Sequence, residues 1–119
     1  MKSEELKTRT KTFGVNVMKL VDRLPKHRSV DVIGRQLLRA ATAVGANYRS
    51  ACRARSQADF ISKIGIVEEE ADEAAYWLEL LRESNVARLD GVSEVLWREA
   101  NELTAIFAAS EKTAKRSVR

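Results

Sequence analysis

A single proline, Pro25, and five glycines are all that punctuate 119 residues whose long intervening stretches consist largely of Ala, Leu, Glu, Arg and Lys. Those residues lose little conformational freedom on entering a helix, whereas proline ends one. Apolar residues recur about every 3.6 positions within each stretch, the period at which one face of a helix can be buried. The pattern points to an all-α fold. With 45% hydrophobic and 32% charged residues the chain can bury a core, and its length suits a single domain over residues 1–119.

Four helical segments follow from that period and its breaks. The first covers about residues 3–23 and carries Phe13, Val17, Leu20, Val21 and Leu24 on one face before Pro25 interrupts it. Asp31 is an acceptable N-cap for a second, which continues to about Arg55 with Ile33, Leu37, Ala41, Val44, Tyr48, Ala51 and Cys52 on its stripe. Ser56 and Asp59 have capping-box spacing for a third, carrying Phe60, Ile64, Val67, Ala71, Ala74, Ala75, Leu78 and Leu81 to about Ser84. After a connection over residues 85–91, a fourth carries Val92, Leu96, Leu103 and Phe107, and the basic segment 111–119 is expected to fray. Short connections make successive helices antiparallel neighbours, so the expected architecture is an up-down-up-down four-helix bundle.

Composition narrows the setting. The first residues are charged where a secretory signal needs an apolar core, and no apolar run approaches the ~20 residues of a membrane span. A cytoplasmic protein with no membrane partner is expected. The one cysteine, Cys52, has no partner for an internal disulfide, and its place on the apolar face suggests a buried thiol. Net charge is +4, with bases concentrated in the first third and the tail and acids concentrated between Glu68 and Glu73.

Three segments carry a resemblance. Residues 39–50 run from Arg39 through Thr42, Val44, Ala46, Asn47 and Tyr48; residues 56–63 hold Ser56, Asp59, Phe60, Ile61 and Lys63; residues 70–81 include Glu70, Glu73, Tyr76, Trp77, Leu78, Glu79, Leu80 and Leu81. Together they resemble the bacterial four-helix-bundle family first noted as open reading frames in intervening sequences of large-subunit ribosomal RNA genes. Ser50 departs from that pattern, which usually has Glu there. The resemblance implies a ring-shaped homo-oligomer, a pentamer. A similar fold occurs in the accessory protein of diversity-generating retroelements, which associates with a reverse transcriptase and nucleic acid, and this offers a functional analogy.

Two surface features stand out. At ~100° per residue, Arg35, Arg39, Arg49 and Arg53 fall within about 80° of one another on the second helix, opposite its apolar stripe. Such a row of guanidinium groups could bind the phosphates of RNA or DNA; equally, it could be a solvated face pairing with acids, including those of a neighbouring subunit. On the third helix, Ile66, Glu73, Trp77 and Leu80 form a second seam opposite Ile64, Ala71 and Leu78. It is either a subunit interface or is covered by a wider core or by the fourth helix. Asn47 interrupts a ridge of small residues, Ala40, Ala43 and Ala51, where an amide must find hydrogen bonds and can specify a helix contact.

Catalytic and metal chemistry find little support. Carboxylate-bridged di-iron bundles place Glu-x-x-His on two helices, and the only histidine, His27, lies beside Pro25. Cys52 and the serines lack the strained turn of an activated nucleophile. Gly34, Gly45 and Gly65 are isolated within helical segments and are better read as close-packing points than as a phosphate loop. No metal and no cofactor is expected. The reading is a non-enzymatic homo-oligomeric scaffold with a basic nucleic-acid-binding surface. The alternative is an adaptor that recruits another protein, such as a polymerase or reverse transcriptase, through seams that include Trp97.

Overall fold

A computed structural model describes residues 1–85 and 91–117, forming α1 (Ser3–Asp22), α2 (Arg28–Cys52), α3 (Gln57–Ser84) and α4 (Val92–Ser117). Among the described residues there are no strands. Each helix packs on its neighbours in sequence, α1 also touches α4, and the diagonal pairs do not meet. That is an up-down-up-down bundle, extended to 49 Å along its long axis. The α1–α4 seam is the thinnest, whereas α2–α3 and α3–α4 are the most extensive.

The core is built from the expected stripes. Phe13, Val17 and Leu20 of α1 meet Leu37 and Val44 of α2, Ile64, Val67 and Leu78 of α3, and Leu103 and Phe107 of α4, all essentially inaccessible. The Tyr48 and Phe107 rings pack with centroids 5.3 Å apart. Burial pushes the Tyr48 phenol well above its usual range, helped by the Cys52 thiol beside it. Thr10 is the polar member of the α1 core face, satisfied within its own helix by donating to the Leu6 carbonyl at 2.8 Å.

Helix ends show where local chemistry and packing compete. Ser56 caps α3 as expected, its hydroxyl accepting from the Asp59 amide at 3.1 Å, while Asp59 accepts from the Arg55 amide, one residue before the cap. Asp31, by contrast, is not the cap of α2. His27 occupies that position, and Asp31 lies in the first turn, its amide bonded to the His27 carbonyl at 2.9 Å. The extra turn is drawn in because Val30 buries against the core.

At its other end α2 stops at Cys52, short of Arg55, and tightens through Arg53 N–H to the Ser50 carbonyl. This corrects the reading of Cys52: Tyr48 and Ala51 fill the last core positions, leaving its thiol exposed at the bundle end. The tail is helical as far as Ser117. α4 continues two turns beyond Ser110, because Ala114 is buried and its carbonyl accepts from the Gln57 side chain at 3.2 Å, tying the α4 end to the α3 start. Most of the expected connection at 85–91, and residues 118 and 119 of the tail, lie outside the described residues.

Candidate subunit and nucleic-acid interfaces

All four arginines of the α2 row are exposed, as their position opposite the core dictates, yet they are not equivalent. Arg39 leans onto α3. Its guanidinium donates twice to Glu70, at 2.8 and 3.3 Å, and once more to Glu73. Glu73 in turn accepts from the indole N–H of Trp77 at 3.1 Å. These bonds hold the Arg39 guanidinium far above its usual range, with Glu70 the larger influence, and hold the Glu73 carboxyl below the usual carboxylate range, with the Trp77 indole first and Arg39 next. Arg35, Arg49 and Arg53 have no ion-pair partner among the described residues. The four-membered row therefore resolves into one structural arginine and three available cations.

The α3 seam is likewise divided. Ile66 is 42% exposed, while Glu73, Trp77 and Leu80 are half-buried, with Trp77 leaning on the core. Two residues outside the expected seam complete the outer surface. Tyr76, 52% exposed, sets its ring edge-on to Trp77 at 5.1 Å, and Val32, 47% exposed, stands seven residues before Arg39 and so on the same face of α2. The outward position of Tyr76 was available from spacing, three residues after Glu73 and four before Leu80. The α2–α3 face thus presents Val32, Ile66 and Tyr76 around a fixed Arg39–Glu70–Glu73 centre.

Between α1 and α2 lies a groove of about 520 Å³. Its floor consists of small residues because the helices approach closely. The Cα of Gly45 faces the Thr10 backbone, where an added Cβ would stand 3.5 Å away, and Gly14 faces Ala41 and Thr42. Val15 and Met18 form one apolar wall, both substantially exposed, and Lys7, Lys11, Arg49 and Arg53 line the basic end. Lys7 is paired with Glu4 at 3.2 Å.

Other features have structural partners. Asn47 is half-buried and donates to the Ala43 carbonyl at 2.8 Å, within its own helix. Trp97 is half-buried with the Arg82 guanidinium 4.3 Å above its ring, and Arg82 also pairs with Glu94. Arg9 grips Glu99 with bonds of 2.7 and 2.6 Å, closing the α1–α4 seam. The acidic run disperses: Glu70 and Glu73 turn to α2, and Glu68 turns to α4, where a hydrogen bond with Glu111 raises the Glu68 carboxyl while Glu111, beside Lys115, is lowered. Among the described residues no group of His, Cys, Asp and Glu is placed to hold a metal ion, and no helix is long and apolar enough to cross a membrane.

Comparison with known proteins agrees with this architecture. The family model described as 23S rRNA-intervening sequence protein matches residues 3–109. Among solved structures, a protein of unknown function from the S23 ribosomal protein family of Bacteroides thetaiotaomicron is 34% identical; the match covers 94% of this chain and 99% of that one, with a TM-score of 0.80. No curated protein matches.

Proposed function

The chain belongs to the 23S rRNA-intervening sequence protein family, and from that premise we propose that it is a non-enzymatic, homo-oligomeric helical scaffold that binds structured nucleic acid along the outer edge of α2. One observation carries the nucleic-acid reading. Arg35, Arg49 and Arg53 stand exposed on that edge, in a chain of net charge +4, without the acidic partners that occupy Arg39. A guanidinium with no carboxylate to satisfy it offers its full fork of donors to phosphate. Self-association is supported by the α2–α3 face, where Val32, Ile66 and Tyr76 leave apolar surface in water. The sequence resemblance implies a ring of five for that assembly.

The test is fluorescence-anisotropy binding to a structured RNA and to a matched duplex DNA across a salt series, with mass measured in parallel. Three phosphate contacts per protomer give a slope of log K against log salt of about −3 on a duplex. Arg49→Glu with Arg53→Glu is expected to weaken binding at least about tenfold while the bundle stays folded. Absence of binding at low salt, where charge is least screened, would overturn the reading.

A further inference from the structure

We infer that the α1–α2 groove receives an unpaired nucleotide beside a stem, its backbone held by Lys11 of α1 together with Arg49 and Arg53 of α2. This rests on the nucleic-acid reading above and adds a second helix to the site. The groove, about 520 Å³, opens along the edge of α2 that carries the arginines, and Arg49 and Arg53 line it. A paired stem lying on that edge offers it phosphate and sugar, which cations and hydrogen-bond donors satisfy. The same groove also has an apolar wall, which phosphate does not use. The unstacked base of a single-stranded segment does use it, because its faces are apolar and it is carried on the same charged backbone.

The basic end draws on both helices. The contacts of Gly45 with Thr10, and of Gly14 with Ala41 and Thr42, fix the heights of α1 and α2 and set Lys11 level with Gly45. Arg49 then stands one turn from Lys11 and Arg53 two turns, toward the end of α2. All three are exposed and have no ion-pair partner among the described residues. Lys7 lines this end as well, held by Glu4 at 3.2 Å. Four cations against the one carboxylate of Glu4 leave the groove strongly positive, which complements a polyanionic strand.

In the other direction the groove turns apolar. Val15 follows Lys11 by one turn of α1 and Met18 by nearly two, and they are 41% and 50% exposed. Met18 comes level with Leu37, between the Arg49 and Arg53 grip and Arg35. Near that height Arg39 is neutralised by Glu70 and Glu73. A strand running from one grip to the other therefore crosses a stretch that offers its phosphates no free cation and offers a base the Val15 and Met18 side chains. Small residues at Gly14, Gly45 and Ala46 leave depth for a ring, and the polarizable Met18 sulfur makes favourable contacts with one. The step from Lys11 to Val15 is about 6 Å along the helix, close to the reach from a phosphate to its own base.

Three RNA probes test this by fluorescence anisotropy at fixed salt: a blunt stem, the same stem with a short single-stranded overhang, and that overhang with its bases removed. The last two carry equal charge, so their difference reports the base alone. Wild-type protein is expected to bind the base-bearing overhang at least about fivefold more tightly than the abasic one. Val15→Ala with Met18→Ala is expected to abolish that preference. Lys11→Ala should weaken binding of both overhang probes by about threefold, and Glu4→Gln, which releases Lys7, should strengthen it by about twofold. Circular dichroism and light scattering check that each variant keeps its helices and its mass. Equal affinity for the base-bearing and abasic overhangs, or a preference that survives loss of Val15 and Met18, would overturn the inference while leaving nucleic-acid binding at the α2 edge standing. Lys11→Ala without effect would remove α1 from the phosphate contact and overturn that part of it. A Val15→Ala, Met18→Ala protein that loses mass but keeps the preference would assign the wall to a protein contact instead. Failure of the wild-type protein to bind any of the three probes at low salt would overturn the nucleic-acid reading itself.

Discussion

Arg39 and Arg53 look alike in the sequence, and replacing each with alanine should have opposite consequences. Arg39→Ala removes three hydrogen bonds to Glu70 and Glu73 and leaves those acids side by side, with Glu70 largely buried. Arg39 is itself half exposed, so its ion pairs must be discounted toward surface values, about 0.5 kcal/mol each. Two acids and a bidentate geometry bring the total to about 1 kcal/mol, or a fall in Tm of roughly 3–6 °C for a domain of this length. Arg53→Ala has no such pair to lose and should change stability by less than about 0.5 kcal/mol. Affinity for nucleic acid should follow the reverse order, falling for Arg53→Ala and barely for Arg39→Ala. Thermal unfolding by circular dichroism, at one protomer concentration and at low and high salt, gives the first quantity, and anisotropy gives the second. Raising salt should shrink the Arg39→Ala deficit, since the pair is only partly shielded from solvent. An Arg39→Ala protein with unchanged Tm and an affinity loss equal to that of Arg53→Ala would refute the division of the row.

Two further outcomes follow from the packing and the carboxyl groups. Gly45→Ala places a Cβ at ordinary contact distance, 3.5 Å, from Thr10, so the gain in helix propensity should raise stability by up to about 1 kcal/mol, whereas Gly45→Leu should force α1 away and lower Tm; equal effects from both would show that the helices are not closely set there. The pH dependence of two variants should run in opposite senses. Glu73 is lowered in the folded state, so its contribution is present above the ordinary carboxylate value of 4.5 and is lost as pH falls through the folded value; Glu73→Gln should cost stability at pH 7 and progressively less in acid. Glu68 is raised, so its contribution is full below 4.5 and is lost as pH rises through the raised value; Glu68→Gln should be neutral or stabilising at pH 7. Parallel pH trends in the Tm of the two variants would contradict these assignments.

The four helices were legible because each carries an apolar stripe of the right period, and Ser56 gave the start of α3 to the residue. What the stripe could not give was the influence of neighbours at helix ends. Val30 extends α2 backward past Asp31, Gln57 holds the end of α4 in place, and Cys52 is exposed because α2 stops beneath it. Gly14, Thr10 and Ala100 are core positions that lay outside the expected stripes, because a glycine, a threonine and an isolated alanine add little to an apolar period. The candidate interfaces were half legible. Angular position gave the exposure of the arginines and of Ile66, but Arg39 and Glu73 were assigned to separate surfaces, and only the distance between α2 and α3 shows that they belong to one network.

Why the arginine row divides at Arg39 follows from the antiparallel run of α2 against α3. Moving toward the C-terminus of α2 means moving toward the N-terminus of α3. Arg39 stands where α3 offers Glu70 and Glu73 one turn apart, both turned toward it. One turn earlier on α2, Arg35 comes level with Tyr76 and Trp77, which offer rings and an indole N–H already given to Glu73. Three turns later, Arg49 and Arg53 come level with Lys63 and Asp59, and that acid is already paired with that lysine at 3.2 Å. Angular position on the helix sends all four guanidinium groups outward, but the acid available at each height decides which of them is neutralised. The three left over are therefore separated into one near the start of α2 and two at its end, with a neutralised stretch between them. A phosphate backbone held by this edge would be gripped at two points about 20–25 Å apart along the bundle, which favours an extended duplex or stem over a compact anion.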